Sequence, residues 1–204
     1  MKITDIKQQV KRADRYSIYI DGKYSFSLSA NELLNQHLKI GQEFNRSQYN
    51  EVQQKALEDK AYMRSLDLLA RRSRSEWEME QYLIKKSYDN NTTTRILSKL
   101  RKKGLLDDLK FAQIWVADRR RLKNVSKRRL LQELQQKRIS KQIIVEVLDN
   151  DETNEQDVLR ELIIKKRNQT RYQDSQRLTA YLLRQGFNYD DIKLSIIELK
   201  IQNS

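Results

Sequence analysis

The sequence predicts a mainly α-helical protein, in which tandem three-helix repeats form an elongated curved array behind a small N-terminal β-hairpin and helix element. Three observations predict this fold class. A hydrophobic pattern recurs about every fifty residues, proline is absent, and 34% of the residues are charged whereas only 38% are hydrophobic. Such a composition favours helices with several small cores over one large core.

The recurring pattern has the same spacing in each copy. A leucine is followed after five residues by a large apolar residue, and after nine more by a leucine or isoleucine. The three copies are Leu83, Tyr88 and Leu97; Leu134, Ile139 and Leu148; and Leu182, Phe187 and Ile196. A period of this length is typical of consecutive structural units rather than of a single enzyme core.

Residues 1–50 are predicted to form a strand-rich extension. Apolar and polar residues alternate in 3–10, 16–20 and 24–28, as in half-buried strands. Asp21-Gly22 fits a two-residue turn with positive φ, so the second and third strands form a hairpin, and 11–14 is expected to be a looser turn.

A short helix is predicted to follow the hairpin and to complete the extension. Ser29 is expected to cap its start, and Gly41 is expected to end it. From Asn45 onward the apolar residues recur at helical spacing.

We assign residues 51–106, 107–152 and 153–204 to three three-helix repeats. In the first repeat, Ser75 and Glu78 have the spacing of a capping box, which predicts that the second helix begins there, and the third helix is expected at about 92–103. The helices of the second repeat are predicted at 108–122, 126–137 and 140–149. Trp77 and Trp115 are expected to pack in cores.

Catalytic chemistry has little support in this sequence. The chain contains one histidine, no cysteine and four glycines that form no phosphate-binding loop, so we expect no enzyme and no cofactor. His37 is more typical of a helix-end or surface residue than of a general base. Asp107-Asp108 and Asp190-Asp191 could bind a metal, but each pair precedes an apolar helix, which favours a capping role.

The net charge of +13 is concentrated in the middle of the chain. Residues 61–150 carry 22 Lys and Arg against 11 Asp and Glu, whereas the numbers nearly balance before and after this segment. A concentrated positive field favours encounters with nucleic acid or with an acidic protein surface. Without a membrane-spanning run, an export leader or cysteine, the chain is expected to be cytoplasmic and not bound to a membrane. We also expect a monomer.

The candidate partner-binding or anion-binding residues are cations in four clusters. They are Arg71, Arg72 and Arg74; Arg95, Lys99, Lys102 and Lys103; Arg119, Arg120, Arg121 and Lys123; and Lys127, Arg128 and Arg129. The second cluster is expected to share one helix face, and for each cluster a solvated face that binds nothing is the alternative interpretation.

The last cluster lies in the first turn of a predicted helix, where cations oppose the helix dipole. We hypothesise that residues 119–129 bind an anion there, either a phosphate or a partner's carboxylate.

Several segments together resemble the RecX family of bacterial regulators of the RecA recombinase. They lie in the same order and at similar spacing: 69–76 with Leu83, 104–108 with Phe111, 129–134, and 181–187. Residues 2–4 and 21–28 resemble the extension of members from low-GC Gram-positive bacteria. The family often has glycine before the residue that closes the second helix, but here only Gly186 matches. We therefore expect the helix ends at Ser87 and Arg138 to be shaped differently.

The resemblance implies a non-enzymatic protein that binds the RecA filament on single-stranded DNA along its helical groove. Such proteins modulate, and mostly inhibit, recombinase, ATPase and coprotease activity in DNA repair and the SOS response. Possible direct but weak DNA binding is part of this expectation. The alternative hypothesis is a helical nucleic-acid-binding module that acts on DNA or RNA without RecA.

Overall fold

The computed structural model describes residues 1–201, which form one small antiparallel sheet and ten α-helices. The chain divides into two compact units, Met1–Leu106 and the residues from Asp107 onward. The first unit contains the sheet and the first repeat, and the second unit contains the second and third repeats. Within 1–201, no helix is both long and apolar enough to cross a lipid bilayer.

The sheet has the strand order β1 (Ile3–Gln9), β2 (Arg12–Ile20) and β3 (Lys23–Ser29). Asp21 and Gly22 form the predicted turn, with φ values of 49° and 81°. The expectation of a looser turn at 11–14 is wrong, because β2 begins at Arg12, which pairs with Gln9 of β1. This pairing supplies backbone hydrogen bonds to a polar stretch that has little strand propensity of its own.

Helix α1 (Ala30–Asn35) is capped by Ser29 as predicted, because the Ser29 hydroxyl accepts a 3.2 Å hydrogen bond from the Glu32 amide. The expectation that Gly41 ends this helix is wrong. The helix stops six residues earlier, and His37 takes the left-handed conformation, with φ of 50°. The His37 amide donates to the Leu34 carbonyl at 3.0 Å, so this histidine has a helix-end role.

Helix α2 (Arg46–Leu69) belongs to two hydrophobic cores. Val52 and Ala56 pack with the sheet, whereas Ala61 packs with the helices of the first repeat. A buried ion pair links α2 to the sheet: Arg15 Nη1 lies 3.3 Å from Asp59 Oδ2, and Asp59 accepts two more hydrogen bonds from Ser29. The extension and the first repeat are thus joined by a continuous helix.

Eight further α-helices complete the three repeats within residues 1–201, and those of the first two repeats lie within two residues of the bounds predicted for them. They are α3 (Glu76–Lys85) and α4 (Asn90–Lys102) in the first repeat; α5 (Asp108–Lys123), α6 (Lys127–Gln136) and α7 (Lys141–Asp149) in the second; and α8 (Glu155–Arg167), α9 (Ser175–Arg184) and α10 (Tyr189–Ile201) in the third. Each repeat has its own hydrophobic core. The capping box of Ser75 and Glu78 is present, and Asp107 caps α5.

The residues of the recurring pattern occupy equivalent buried positions. Leu83, Leu134 and Leu182 are fully buried, and the six other residues of the pattern are at most 9% exposed. The fifty-residue period therefore marks the core of each repeat.

The second helix of each repeat ends in the same way. Ser87, Arg138 and Gly186 all take the left-handed conformation, with φ values of 60°, 58° and 93°. In each case the following amide donates to the carbonyl of the pattern leucine, at 3.2–3.3 Å. The expectation that the ends at Ser87 and Arg138 differ is wrong, because packing of the next apolar residue imposes the conformation even where no glycine is present.

Gly186 has a second role, which is to let two repeats approach closely. A Cβ atom at this position would lie 2.4 Å from the Ser126 hydroxyl and 3.1 Å from the Arg129 backbone nitrogen. The Ser126 hydroxyl also donates a 2.8 Å hydrogen bond to the Gln185 carbonyl. The end of α9 therefore packs on the start of α6.

Glycine at either non-glycine helix end should stabilise the protein. We expect Ser87→Gly and Arg138→Gly to raise the free energy of unfolding by about 0.5–1 kcal/mol each, because glycine adopts positive φ without a Cβ clash. Urea denaturation followed by circular dichroism measures this change. The control Gln132→Gly, at an exposed position in the middle of α6, should lower stability by a similar amount, and the hypothesis fails if all three variants are destabilised equally.

Alanine at position 186 should be more harmful than alanine at another left-handed glycine. Gly104 also has positive φ, but a Cβ atom there would meet nothing within 4 Å. We expect Gly104→Ala to lower the free energy of unfolding by about 1 kcal/mol, because only the positive φ is unfavourable for alanine there. Gly186→Ala should lower it by about 2–4 kcal/mol, because the new Cβ atom also clashes with Ser126 and Arg129. Equal losses in urea denaturation would argue against a tight contact between α9 and α6.

Candidate partner-binding surface

The predicted cationic stripe of the first repeat forms a single surface. Arg95, Lys99, Lys102 and Lys103 line one open depression of about 560 Å³ on α4, together with the hydroxyl residues Thr94 and Ser98. Their spacing of three to four residues places them on the same side of the helix, opposite its buried leucines. We call these four cations the α4 stripe.

The four members of the α4 stripe differ in how far the chain itself neutralises them. Arg95 Nη1 lies 2.7 Å from Glu58 Oε1, and the Lys99 ammonium lies 4.2 Å from the ring centroid of Tyr62. Lys102 and Lys103 are exposed and have no ion pair with any residue in 1–201. The helix dipole also favours cations in the last turn of α4, which gives Lys102 a local structural role.

The arginines between α2 and α3 occupy three different environments. Arg72 forms a two-pronged ion pair with Glu78, at 3.0 Å for each hydrogen bond. Arg71 is exposed. The Nε of Arg74 is buried without a hydrogen-bond partner among the described residues, and burial, followed by repulsion from Arg72, lowers the pKa of its guanidinium.

The clusters at the end of α5 and the start of α6 are mostly engaged within the chain. Arg119 Nε lies 2.7 Å from Glu133 Oε2, and its guanidinium stacks 4.2 Å from the ring centroid of Trp115. Arg129 Nε lies 3.2 Å from the other oxygen of Glu133. Arg121 pairs with Asp118.

The prediction that Arg120 belongs to the partner-binding residues is wrong, because this side chain is buried in contacts within the chain. Its side chain is only 9% exposed, and it donates to Asp151 at 2.7 and 2.9 Å, to Glu155 at 3.3 Å and to the Val125 carbonyl at 2.6 Å. Burial would raise the pKa of the Asp151 carboxyl, but hydrogen bonds from Thr153 and Arg120 outweigh it and leave that pKa lowered. Arg120 therefore connects the second and third repeats rather than facing a partner.

The anion at the start of α6 comes from the same chain. Both oxygens of Glu155 accept hydrogen bonds from the Lys127 amide, at 2.8 and 3.1 Å, and the Lys127 ammonium lies 3.2 Å from Asp149. This carboxylate compensates the three cations of the first turn, so their stability does not require an external phosphate. Arg128 and Lys123 remain exposed without an ion pair in 1–201.

The two tryptophans have different environments. Trp115 packs against the core of the second repeat and donates a 3.0 Å hydrogen bond to Glu133. Trp77 is 36% exposed, so the expectation that it packs in a core is wrong. The paired aspartates lie at helix starts, and no group of three metal-ligating side chains occurs in residues 1–201.

The sequence interpretation missed cations in the third repeat that lie beside Lys123 and Arg129. Lys165 and Lys166 line the same depression of about 380 Å³, and Lys166 lies over the rings of Tyr172 and Tyr181. The two adjacent lysines could have been found in the sequence. They were not selected as candidates because positive and negative residues balance in 151–204.

Models of the RecX family match four successive parts of the chain. The regulatory protein RecX N-terminal domain matches residues 1–45, and the first, second and third three-helix domains of RecX match 61–105, 107–148 and 153–194. These matches confirm the resemblance drawn from the sequence.

Individual relatives are similar over nearly the whole chain. A regulatory protein RecX of Bacillus subtilis is 30% identical over 206 residues, which cover 98% of this chain and 78% of that protein. A regulatory protein RecX of Listeria monocytogenes is 29% identical over 203 residues, which cover 97% and 76%.

Two crystal structures have the same fold. One of a regulatory protein RecX is 28% identical, with a TM-score of 0.69, and the match covers 95% of this chain and 98% of that chain. One of RecX from Lactobacillus salivarius has a TM-score of 0.58 at 24% identity, over 71% and 97%. Because the four family domains follow one another in order and a relative is 30% identical over 98% of this chain and 78% of its own length, the chain belongs to the RecX family of regulatory proteins.

Proposed function

We propose that this protein is a non-enzymatic regulator that binds the RecA filament on single-stranded DNA along its groove and inhibits its activities. These activities are recombination, ATP hydrolysis and coprotease function in DNA repair and the SOS response, in the cytoplasm. The observation that carries the proposal is the presence of all four RecX domains in order, in a family of regulatory proteins.

The cations that the chain leaves unpaired are suited to this partner. After the internal ion pairs are formed, Arg71, Lys102, Lys103, Lys123 and Arg128 remain exposed. A filament offers DNA phosphates and acidic protein side chains at regular intervals. Several small units can then contact several protomers, and weak individual contacts combine into tight binding.

The protein should slow RecA-dependent ATP hydrolysis on single-stranded DNA when it is present at fewer copies than RecA. We expect at least a twofold decrease, because one molecule spanning several protomers affects more than one active site. A coupled ATPase assay with increasing protein measures this. The absence of any effect at stoichiometric excess would overturn the proposal.

Binding to bare DNA distinguishes the alternative function. A module that acts without RecA should bind bare duplex DNA tightly, and the logarithm of its affinity should fall with the logarithm of salt concentration by about 0.9 for each phosphate neutralised. Under our proposal, binding to bare DNA is weak and becomes tighter when RecA coats the strand. Fluorescence anisotropy with and without RecA compares the two.

Neutralising the unpaired lysines of the α4 stripe should weaken filament binding. We expect Lys102→Gln/Lys103→Gln to reduce affinity about threefold to tenfold, since each exposed ionic contact contributes up to about 1 kcal/mol. The matched control Lys11→Gln/Lys39→Gln removes the same charge from exposed positions of the extension. Filament affinity, measured at two salt concentrations, should fall more in the stripe variant than in the control variant. Equal losses of affinity would mean that only the net charge of the protein matters.

A further inference from the structure

The two edges of the small sheet differ. The edge of β1 is covered by residues 41–44, because the Ile3 amide donates to the Gln42 carbonyl at 2.9 Å and the Gly41 amide donates to the Ile3 carbonyl at 2.8 Å. Along β3, no backbone group from outside the sheet forms a hydrogen bond within the described part of the chain. An uncovered strand edge can pair with another polypeptide.

A groove of about 620 Å³ runs along this uncovered edge. Four consecutive residues of β3 line it: Tyr24, Ser25, Phe26 and Ser27. Successive strand residues point to opposite faces, so a depression on one face would contact only alternate residues. Since all four residues line the groove, it opens at the edge of the strand.

Helix α2 forms the other wall of the groove. Its lining residues recur every three to four positions and so lie on one side of the helix: Asn50, Gln53, Gln54, Leu57 and Lys60. A groove between an edge strand and a helix is the arrangement in which extended peptides add to a sheet. The amide side chains can contact such a peptide through hydrogen bonds, and Leu57, which is 38% exposed, can contact it through apolar atoms.

The groove is positively charged at Lys60. A second depression shares Lys60 with it and adds Arg64. Arg12 also lines this depression, but its charge is paired with Asp14 and Asp67. No Asp or Glu lines either depression, and Lys60 has no ion pair with any residue in 1–201. An acidic side chain of the bound segment would complement this end.

Side chains of the protein limit how far an added strand could extend. Arg15 donates to the Ser27 carbonyl at 3.0 Å, and Asp59 accepts from the Ser29 amide at 2.8 Å, so the far end of β3 is already occupied. The open edge therefore runs from Tyr24 to the amide of Ser27 and stops before the Ser27 carbonyl, a span of roughly 10 Å at the usual strand rise.

We propose that this groove binds a short extended segment of a partner polypeptide, which pairs with residues 24–27 of β3 and places an acidic side chain at Lys60. The proposal goes beyond the filament-binding function and does not depend on it, because the groove belongs to the extension and its test needs no RecA.

The test selects ligands from a random twelve-residue phage-displayed peptide library on the immobilised full-length chain. We expect peptides with alternating β-branched residues and an acidic residue at one end. Their affinity, measured by fluorescence anisotropy, should fall at least tenfold in Gln53→Trp, which fills the groove, and in Lys60→Glu. Lys60→Glu should in turn prefer the same peptides with lysine in place of the acid. Lys55→Glu, a lysine of α2 that does not line the groove, should change affinity less than twofold.

Hydrogen exchange identifies the binding mode. The selected peptide should slow exchange of amides in residues 24–27, as expected for strand pairing, while circular dichroism confirms that each variant is folded. A library that yields no enriched peptide, or peptides that bind Gln53→Trp normally, would overturn the proposal. So would sedimentation analysis that shows a dimer abolished by Gln53→Trp, because a second copy of the chain would then occupy the groove.

Discussion

The reversal of the chain after the second helix of each repeat is the constraint on which the three small cores depend. A left-handed residue at 87, 138 or 186 ends that helix. The next residue, Tyr88, Ile139 or Phe187, can then enter the core, and the third helix returns against the first two. Units of about fifty residues bury few apolar side chains, so each unit needs this reversal to close its core.

Much of the positive charge serves the structure of the second unit. Arg120 connects α5 to Asp151 and Glu155, and Glu155 in turn caps the first turn of α6, where three cations oppose the helix dipole. These contacts join the second and third repeats with the help of the close approach at Gly186. A count of arginines and lysines therefore overestimates the surface that is free to bind a partner.

Local sequence signals predicted most of the fold. The pairs Ser75 with Glu78 and Asp21 with Gly22 fix a helix start and a turn through contacts between near neighbours. The errors arose where distant contacts override local preference. Pairing with β1 draws the polar residues from Arg12 onward into a strand, and core packing forces Ser87 into a conformation that favours glycine.

The sequence by itself determined the repeat period, the buried positions and the grouping of Arg95, Lys99, Lys102 and Lys103 on one helix face, because these follow from helical and strand spacing. Only the tertiary structure decided which cations are neutralised inside the chain and which strand edge is uncovered. Glu155 lies 28 residues beyond the amide of Lys127 that it caps. Folding sets the partners of such charges, since ion pairs and strand pairing join residues that lie far apart along the chain.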